Sequence, residues 1–266
     1  MTKKLFQVDA FTSEAFKGNP AGVLLSDTHL DESFMQQMAA EMNLSETAFV
    51  TPGDDCFNIR FFTPYAEIML CGHATLAAAA VLYDQRMVAE GDPIFFKSSH
   101  HHLYVMGDRH HLKMDFPILG VSSVPVTEDF TDTTGLMPDA LYRSEHGWYL
   151  AWMKGVEDVH RAHPRIQHMR HSEYGHLIVA SRPQQREGYD CFVRVFVPAL
   201  GIDEDPVTGS AQCVIAPVMK ERHGLDYYTV LQDSSRSGTM SVRCVNDERI
   251  EIEGSAVIIF EGVVRV

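Results

Sequence analysis

No stretch of this chain is apolar for the ~18 residues that a membrane-spanning helix needs. The N-terminal MTKKLFQVDAF also lacks a hydrophobic leader core before it runs into a strand-like pattern. Neither a membrane span nor a secretion signal is expected. Basic residues are scarce as well, since 22 Lys and Arg stand against 36 Asp and Glu for a formal net charge of −14. Such a surface repels phosphate backbones and anionic bilayers, which excludes nucleic acid and membrane as expected partners. A small anionic substrate stays open, because a few local amides and dipoles override the global field. Cysteine is sparse, odd in number and never in a CxxC pair: Cys56, Cys71, Cys191, Cys213 and Cys244. That pattern excludes a disulfide framework and points to free thiols in a reducing compartment, so a cytoplasmic protein is expected. With 45% hydrophobic residues over 266 positions, the chain has enough to bury one large core or two small ones.

Glycine and proline divide the chain into short elements. Strand-like patterns fall at 4–11, 21–26, 47–51, 57–63, 93–98, 102–106 and 111–116, and later at 148–153, 176–181, 190–197, 227–232, 239–245, 249–253 and 256–264. Asp31 reads as the cap of a helix to about Met42, with Phe34, Met38 and Met42 at helical spacing. A second helix is expected over 72–85, GHATLAAAAVLYDQ. It has almost no polar face and must be buried all round. Further helices are expected over 209–222 and, as a short piece, near 162–171.

Two of these units repeat. EIMLCGHAT (67–75) lies over EDPVTGSAQ (204–212), so that Glu67 falls on Glu204, Cys71 on Thr208, Gly72 on Gly209, His73 on Ser210 and Ala74 on Ala211. Upstream, IRFFTP (59–64) echoes VRVFVP (193–198), aligning Arg60 with Arg194, Phe62 with Phe196 and Pro64 with Pro198. A repeat this long indicates two related domains, set at 1–117 and 118–266, with the last ~10 residues available to complete the first. The bland alternative is chance likeness of two strand–loop–helix units, since glycine turns before helices are common.

A glycine just inside a helix start lets a ligand approach the backbone, where the first N–H groups have no intrahelical partner. With the positive end of the helix dipole, each Gly-(His/Ser)-Ala turn becomes a carboxylate-sized anion site. Cys71, His73, Asp205, Thr208 and Ser210 on these turns are acid–base equipment.

Four stretches carry a family likeness: VDAFTSEAFKGNPAGVLL (8–25), NLSETAFV (43–50), IRFFTPYAEIMLCGHATLAAAAVL (59–82) and FVPALGIDEDPVTGSAQ (196–212). Together and in order they resemble the PhzF-like proteins of phenazine biosynthesis, which share a fold with diaminopimelate epimerase and, more distantly, proline racemase. The resemblance implies an α+β fold of two similar domains. Each is a curled mixed sheet wrapped around a central buried helix, with the active site between them. It implies a cofactor-free isomerase that moves a proton between carbons of a small carboxylate, and a homodimer. It makes Glu46 the general base, with His73, Asp205 and Ser210 as partners, and implies substrate binding by Asn19, Cys71, Gly72, Ala74, Thr208, Gly209 and Ala211. No metal and no cofactor are expected.

Bland readings and rivals stand beside this one. Glu46 alone reads as a solvated loop acid, and His73 alone as a helix-start histidine satisfied by backbone. Two opposed cysteines run racemisation in the epimerases, whereas here Cys71 faces Thr208 in the repeat, too weak an acid for that part. A buried, inert thiol is the plainer reading of Cys71. An amino-acid racemase using Cys71 and a non-catalytic small-anion binder remain as alternatives. The histidines of SSHHHLYVMGDRHHLKM (98–114) read as a surface hairpin over a metal site, because consecutive strand residues face opposite sides. LQDSSRSGTMSVR (231–243) departs from the family pattern, with Asp233 after the glutamine, and this leaves the substrate open.

Overall fold

The computed structural model describes residues 3–99, 101–108, 110–185 and 188–265. In chain order the first half contains β1 (Lys3–Ala10), β2 (Asn19–Leu25), α1 (Glu32–Met42), β3 (Glu46–Pro52), β4 (Phe57–Phe62), β5 (Glu67–Ile68), α2 (Gly72–Asp84), β6 (Ile94–Lys97), β7 (His102–Gly107) and β8 (Leu112–Pro117). The second half contains β9 (Val121–Val124), α3 (Glu128–Thr134), β10 (Ala140–Ser144), β11 (Tyr149–Trp152), α4 (Val156–His160), α5 (Ile166–Met169), β12 (Leu177–Ser181), β13 (Cys191–Val197), β14 (Ile202–Asp205), α6 (Gln212–His223), β15 (Tyr227–Gln232), β16 (Gly238–Cys244), β17 (Arg249–Gly254) and β18 (Ala256–Val264). Two compact units result, one of residues 1–115 with 253–266 and one of residues 116–252. The C-terminal segment belongs to the first unit because β1 is hydrogen-bonded on both sides, antiparallel to β2 and to β18.

In the first unit β2 runs parallel to β3, β3 antiparallel to β4, β4 parallel to β6, and β6 antiparallel to β7. The second unit repeats this order. There β10 is antiparallel to β11, β11 parallel to β12, β12 antiparallel to β13, β13 parallel to β15, and β15 antiparallel to β16. Each unit also turns a short strand back onto a longer one, β5 on β4 and β14 on β13. The duplication seen in two sequence motifs therefore extends over the strand pairings of both units.

The repeat keeps its fastening as well. Arg60 holds Glu67 through Nε–Oε1 at 2.7 Å and Nη2–Oε2 at 2.6 Å, and Arg194 holds Glu204 through Nε–Oε1 at 2.7 Å and Nη2–Oε2 at 2.9 Å. Each guanidinium also covers a ring two residues on, Phe62 at 5.2 Å and Phe196 at 5.1 Å. In both copies a forked ion pair ties the outgoing strand to the returning one and so sets where the following turn begins.

The expected apolar helix is α2. His73 through Tyr83 are buried on every side, and the helix packs against β1, β2, β3 and β18 of its unit. An alanine-rich segment with no polar stripe forms a good helix and has no stable place except inside a curled sheet. The helix expected over 209–222 is shorter at its start than its sequence suggests. Gly209–Ala211 winds as a 3-10 turn in which the Gln212 N–H reaches back to Gly209 O, and α6 follows only from Gln212. The short helix expected near 162–171 reduces to Ile166–Met169. Among the described residues, no helix is long and apolar enough to cross a membrane.

Candidate active site

Four side chains of the first unit converge at the mouth of α2. Glu46 opens β3, Asn19 opens β2, Cys71 is the residue before α2, and His73 sits in its first turn. All four are buried: Asn19 at 0% exposure, Cys71 at 7%, and Glu46 and His73 at 8% each. His73 is held from both ring nitrogens. Its Nδ1 lies 3.3 Å from Asn19 Nδ2 and 3.5 Å from Cys71 Sγ, while its Nε2 lies 3.1 Å from Glu46 Oε2. Ser45 Oγ donates to Asn19 Oδ1 at 3.5 Å, which leaves the Asn19 amide nitrogen as the group facing the imidazole.

The Glu46–His73 contact has the length of an ion pair without the alignment of a hydrogen bond, so Glu46 Oε2 is buried with no hydrogen-bond partner. A buried oxygen left without a hydrogen bond is costly in a purely structural role. It is what a general base needs before substrate arrives, since catalytic hydrogen bonds often align only in the complex. Burial pushes the His73 imidazolium down, but Cys71 and Glu46 beside it hold it well above its ordinary value. Burial also pushes the Cys71 thiol up, against the pull of His73.

Gly72 is the first residue of α2 and Ala74 is fully buried beneath it, so the N–H groups of this helix start border the trio. Thr75 Oγ1 donates to Cys71 O at 2.7 Å and fixes the entry angle of the turn.

The second turn, in the other unit, is built differently. Asp205 ends β14 and accepts a short hydrogen bond from Thr208 Oγ1. Gln232, at the end of β15, accepts from the Thr208 N–H through Oε1 at 2.8 Å and donates through Nε2 to Asp205 O at 2.8 Å. Gly209 and Ala211 are buried, whereas Ser210 is exposed. The first amide of this turn is therefore already satisfied by Gln232, and Thr208 is tied to Asp205.

Sequence reasoning named the acid–base residues of both turns but not Gln232 or His176. Gln232 lies in the 231–243 stretch that departs from the family pattern, and Asp233 beside it bonds His160 Nδ1 at 2.7 Å. His176 emerges from register alone. Phe49 pairs with Arg60 and Val179 with Arg194, so stepping three residues back along each strand puts His176 at the repeat position of Glu46. Its ring packs edge-on against Trp148 at 5.4 Å, and burial lowers its pKa. The two copies thus place a carboxylate and an imidazole at one topological position.

Among the described residues, the histidine run does not gather. His101 and His102 stand at one end of β7, and His110 and His111 follow its other end, where Asp108 Oδ1 accepts from both of their backbone N–H groups at 2.7 and 2.8 Å. His100 lies outside the described residues. The group that does gather is Glu46, Cys71 and His73, whose oxygen, sulfur and nitrogen lie within 4.8 Å of one another.

The chain matches the family described as phenazine biosynthesis-like protein over residues 8–262. It is 36% identical over 267 residues to a protein of Halalkalibacterium halodurans named as an uncharacterised isomerase, covering 98% of each chain. It is 39% identical over 269 residues to an uncharacterised isomerase of Pseudomonas aeruginosa, covering 100% of this chain and 99% of that one. Among solved structures it resembles a PhzF family phenazine biosynthesis protein of Enterococcus faecalis, with 32% identity, a TM-score of 0.93 and full coverage of both chains. These likenesses bear out the α+β, epimerase-like fold expected from the sequence.

Proposed function

The chain belongs to the phenazine biosynthesis-like family and is an isomerase of the PhzF class; from that premise we propose that it moves a proton between carbons of a small carboxylate-bearing metabolite, with Glu46 as the shuttle. The observation that carries this reading is the buried Oε2 of Glu46, which has no hydrogen-bond partner and lies 3.1 Å from His73 Nε2. Glu46 takes the proton from one carbon and returns it to another, a task that needs a single carboxylate within reach of both. His73, fixed by Asn19 at Nδ1, keeps Nε2 turned toward the carboxylate. The substrate carboxylate lies against the Gly72 end of α2, where the helix dipole favours an anion. Removal of the proton-transfer group costs about 10²–10⁴ in rate.

The test is a panel of small unsaturated carboxylates incubated with the protein in deuterated water and followed by NMR. Conversion of one member to a positional isomer, with deuterium entering at carbon, supports the reading. A panel member that binds tightly yet neither exchanges nor converts would instead favour a small-anion-binding protein.

A further inference from the structure

The cluster that holds the proposed proton shuttle also has the chemistry of a metal site. Thiol sulfur, imidazole nitrogen and carboxylate oxygen are the three donor types that zinc and its spectroscopic substitutes prefer in combination. In a tetrahedral zinc site, with metal–sulfur near 2.3 Å and metal–nitrogen near 2.0 Å, neighbouring donors lie roughly 3.3–3.6 Å apart. Here Nε2–Oε2 is 3.1 Å, Sγ–Nε2 is 3.9 Å, and all three atoms lie within 4.8 Å of one another. Shifts of a few tenths of an ångström bring the sulfur and nitrogen to the required spacing.

Two further observations point to an occupant. Glu46 Oε2 has no hydrogen-bond partner although the residue is only 8% exposed, so a ligand position is open. Cys71, His73 and Glu46 each keep 7–8% exposure, which leaves an entry path from solvent. The second turn has no counterpart of this donor set, because Thr208 and Ser210 replace the thiol and the imidazole.

We propose that Glu46, Cys71 and His73 form a site for one zinc-like divalent cation, and that its binding shuts off isomerisation. As the ion binds, the Cys71 S–H bond breaks, His73 gives up its imidazolium proton, sulfur–metal and nitrogen–metal bonds form and both protons pass to solvent, with no change of oxidation state. Three protein donors leave the fourth position to water. The inhibitory half rests on the assignment of Glu46 as the shuttle, since the ion occupies the oxygen that must accept the substrate proton. The metal-binding half does not.

The experiment is a cobalt(II) titration of the full, untagged chain, followed by near-ultraviolet absorbance, with zinc added as competitor. One equivalent of cobalt is expected to produce a thiolate-to-cobalt charge-transfer band that zinc abolishes. Cys71→Ser is expected to remove the band, and Glu46→Gln to weaken affinity at least about a hundredfold, more than loss of a supporting hydrogen bond around a metal ligand costs. Cys213→Ser, a variant of a buried thiol in the other unit, is expected to keep the band. Circular dichroism on each variant separates loss of ligand from loss of fold. A cobalt complex without a thiolate band, or a band that survives in Cys71→Ser, overturns the site. Stoichiometric zinc binding that leaves proton exchange intact overturns the inhibitory half and counts against Glu46 as the shuttle.

Discussion

Gly18 stands at φ +68°, in the loop where Phe11 and Phe16 also take left-handed conformations. A Cβ there would lie 2.2 Å from the Ala10 carbonyl oxygen and 2.7 Å from Thr12 Cγ2, so both backbone angle and space demand glycine. The next residue is Asn19, which holds His73. Gly18→Ala is therefore expected to cost about 1–3 kcal/mol in urea unfolding and to lower turnover through misplacement of Asn19. Unchanged stability and turnover would mean that this loop adapts freely. At this scale the repeat disclosed the paired turns, Cys71-Gly72-His73 and Thr208-Gly209-Ser210, with Asp205 beside the second, whereas Glu46 was singled out by the family likeness alone. Neither disclosed that Asn19 is fully buried against His73, because that contact joins residues 54 positions apart. Gln232 and His176 stayed hidden for the same reason, since one is defined by a long-range hydrogen bond and the other by strand register.

The two Arg–Glu forks test how far the repeated elements are equivalent. The side chains of Arg194 and Glu204 are 11% and 24% exposed, and the guanidinium also donates to Ala162 O at 2.7 Å and His160 O at 3.1 Å. Arg60 and Glu67 are 30% and 31% exposed, and their second partner is the exposed Glu32. Arg194→Met is expected to cost about 3 kcal/mol, because it strands a largely buried carboxylate and two carbonyls. Arg60→Met should stay within about 1 kcal/mol. Equal losses in chemical denaturation would show that exposure does not govern the pair. The long strands and α2 were legible because their periodicity or apolarity runs over a whole element. The strands β9, β10 and β14 and the helices α3 and α4 were not, being four to seven residues long and shaped by neighbours more than by local pattern. The 3-10 start of α6 had no sequence signal distinct from an ordinary helix start.

At the scale of the whole molecule, proton linkage sets how stability varies with pH. Cys71 and His73 retain protons in the fold that the unfolded chain gives up more readily, and burial likewise raises Tyr228, Cys191 and Cys213, the last to about 12. For His73, with a raised folded pKa, the contribution is complete below its ordinary value of 6.5 and is lost as pH climbs through the folded value. For the thiols and Tyr228 the loss begins where the unfolded groups ionise, at 9.0 and 10.0. The urea midpoint is therefore expected to fall between about pH 7 and pH 10, with the first part of the fall absent in His73→Asn. A flat profile in the parent protein would contradict these assignments. The duplication was readable from two short motifs, and the last ~10 residues were expected to be available to the first unit, where β18 fills the second hydrogen-bonding edge of β1.

The central claim is that Glu46 carries the proton. Solvent deuterium uptake into a converting carboxylate, compared between the parent chain and Glu46→Gln under saturating substrate, tests it most directly. The account predicts that exchange at carbon falls by about 10²–10⁴ while the dissociation constant for the carboxylate changes only a few-fold. Exchange that continues at the parent rate in Glu46→Gln would remove Glu46 from the chemistry.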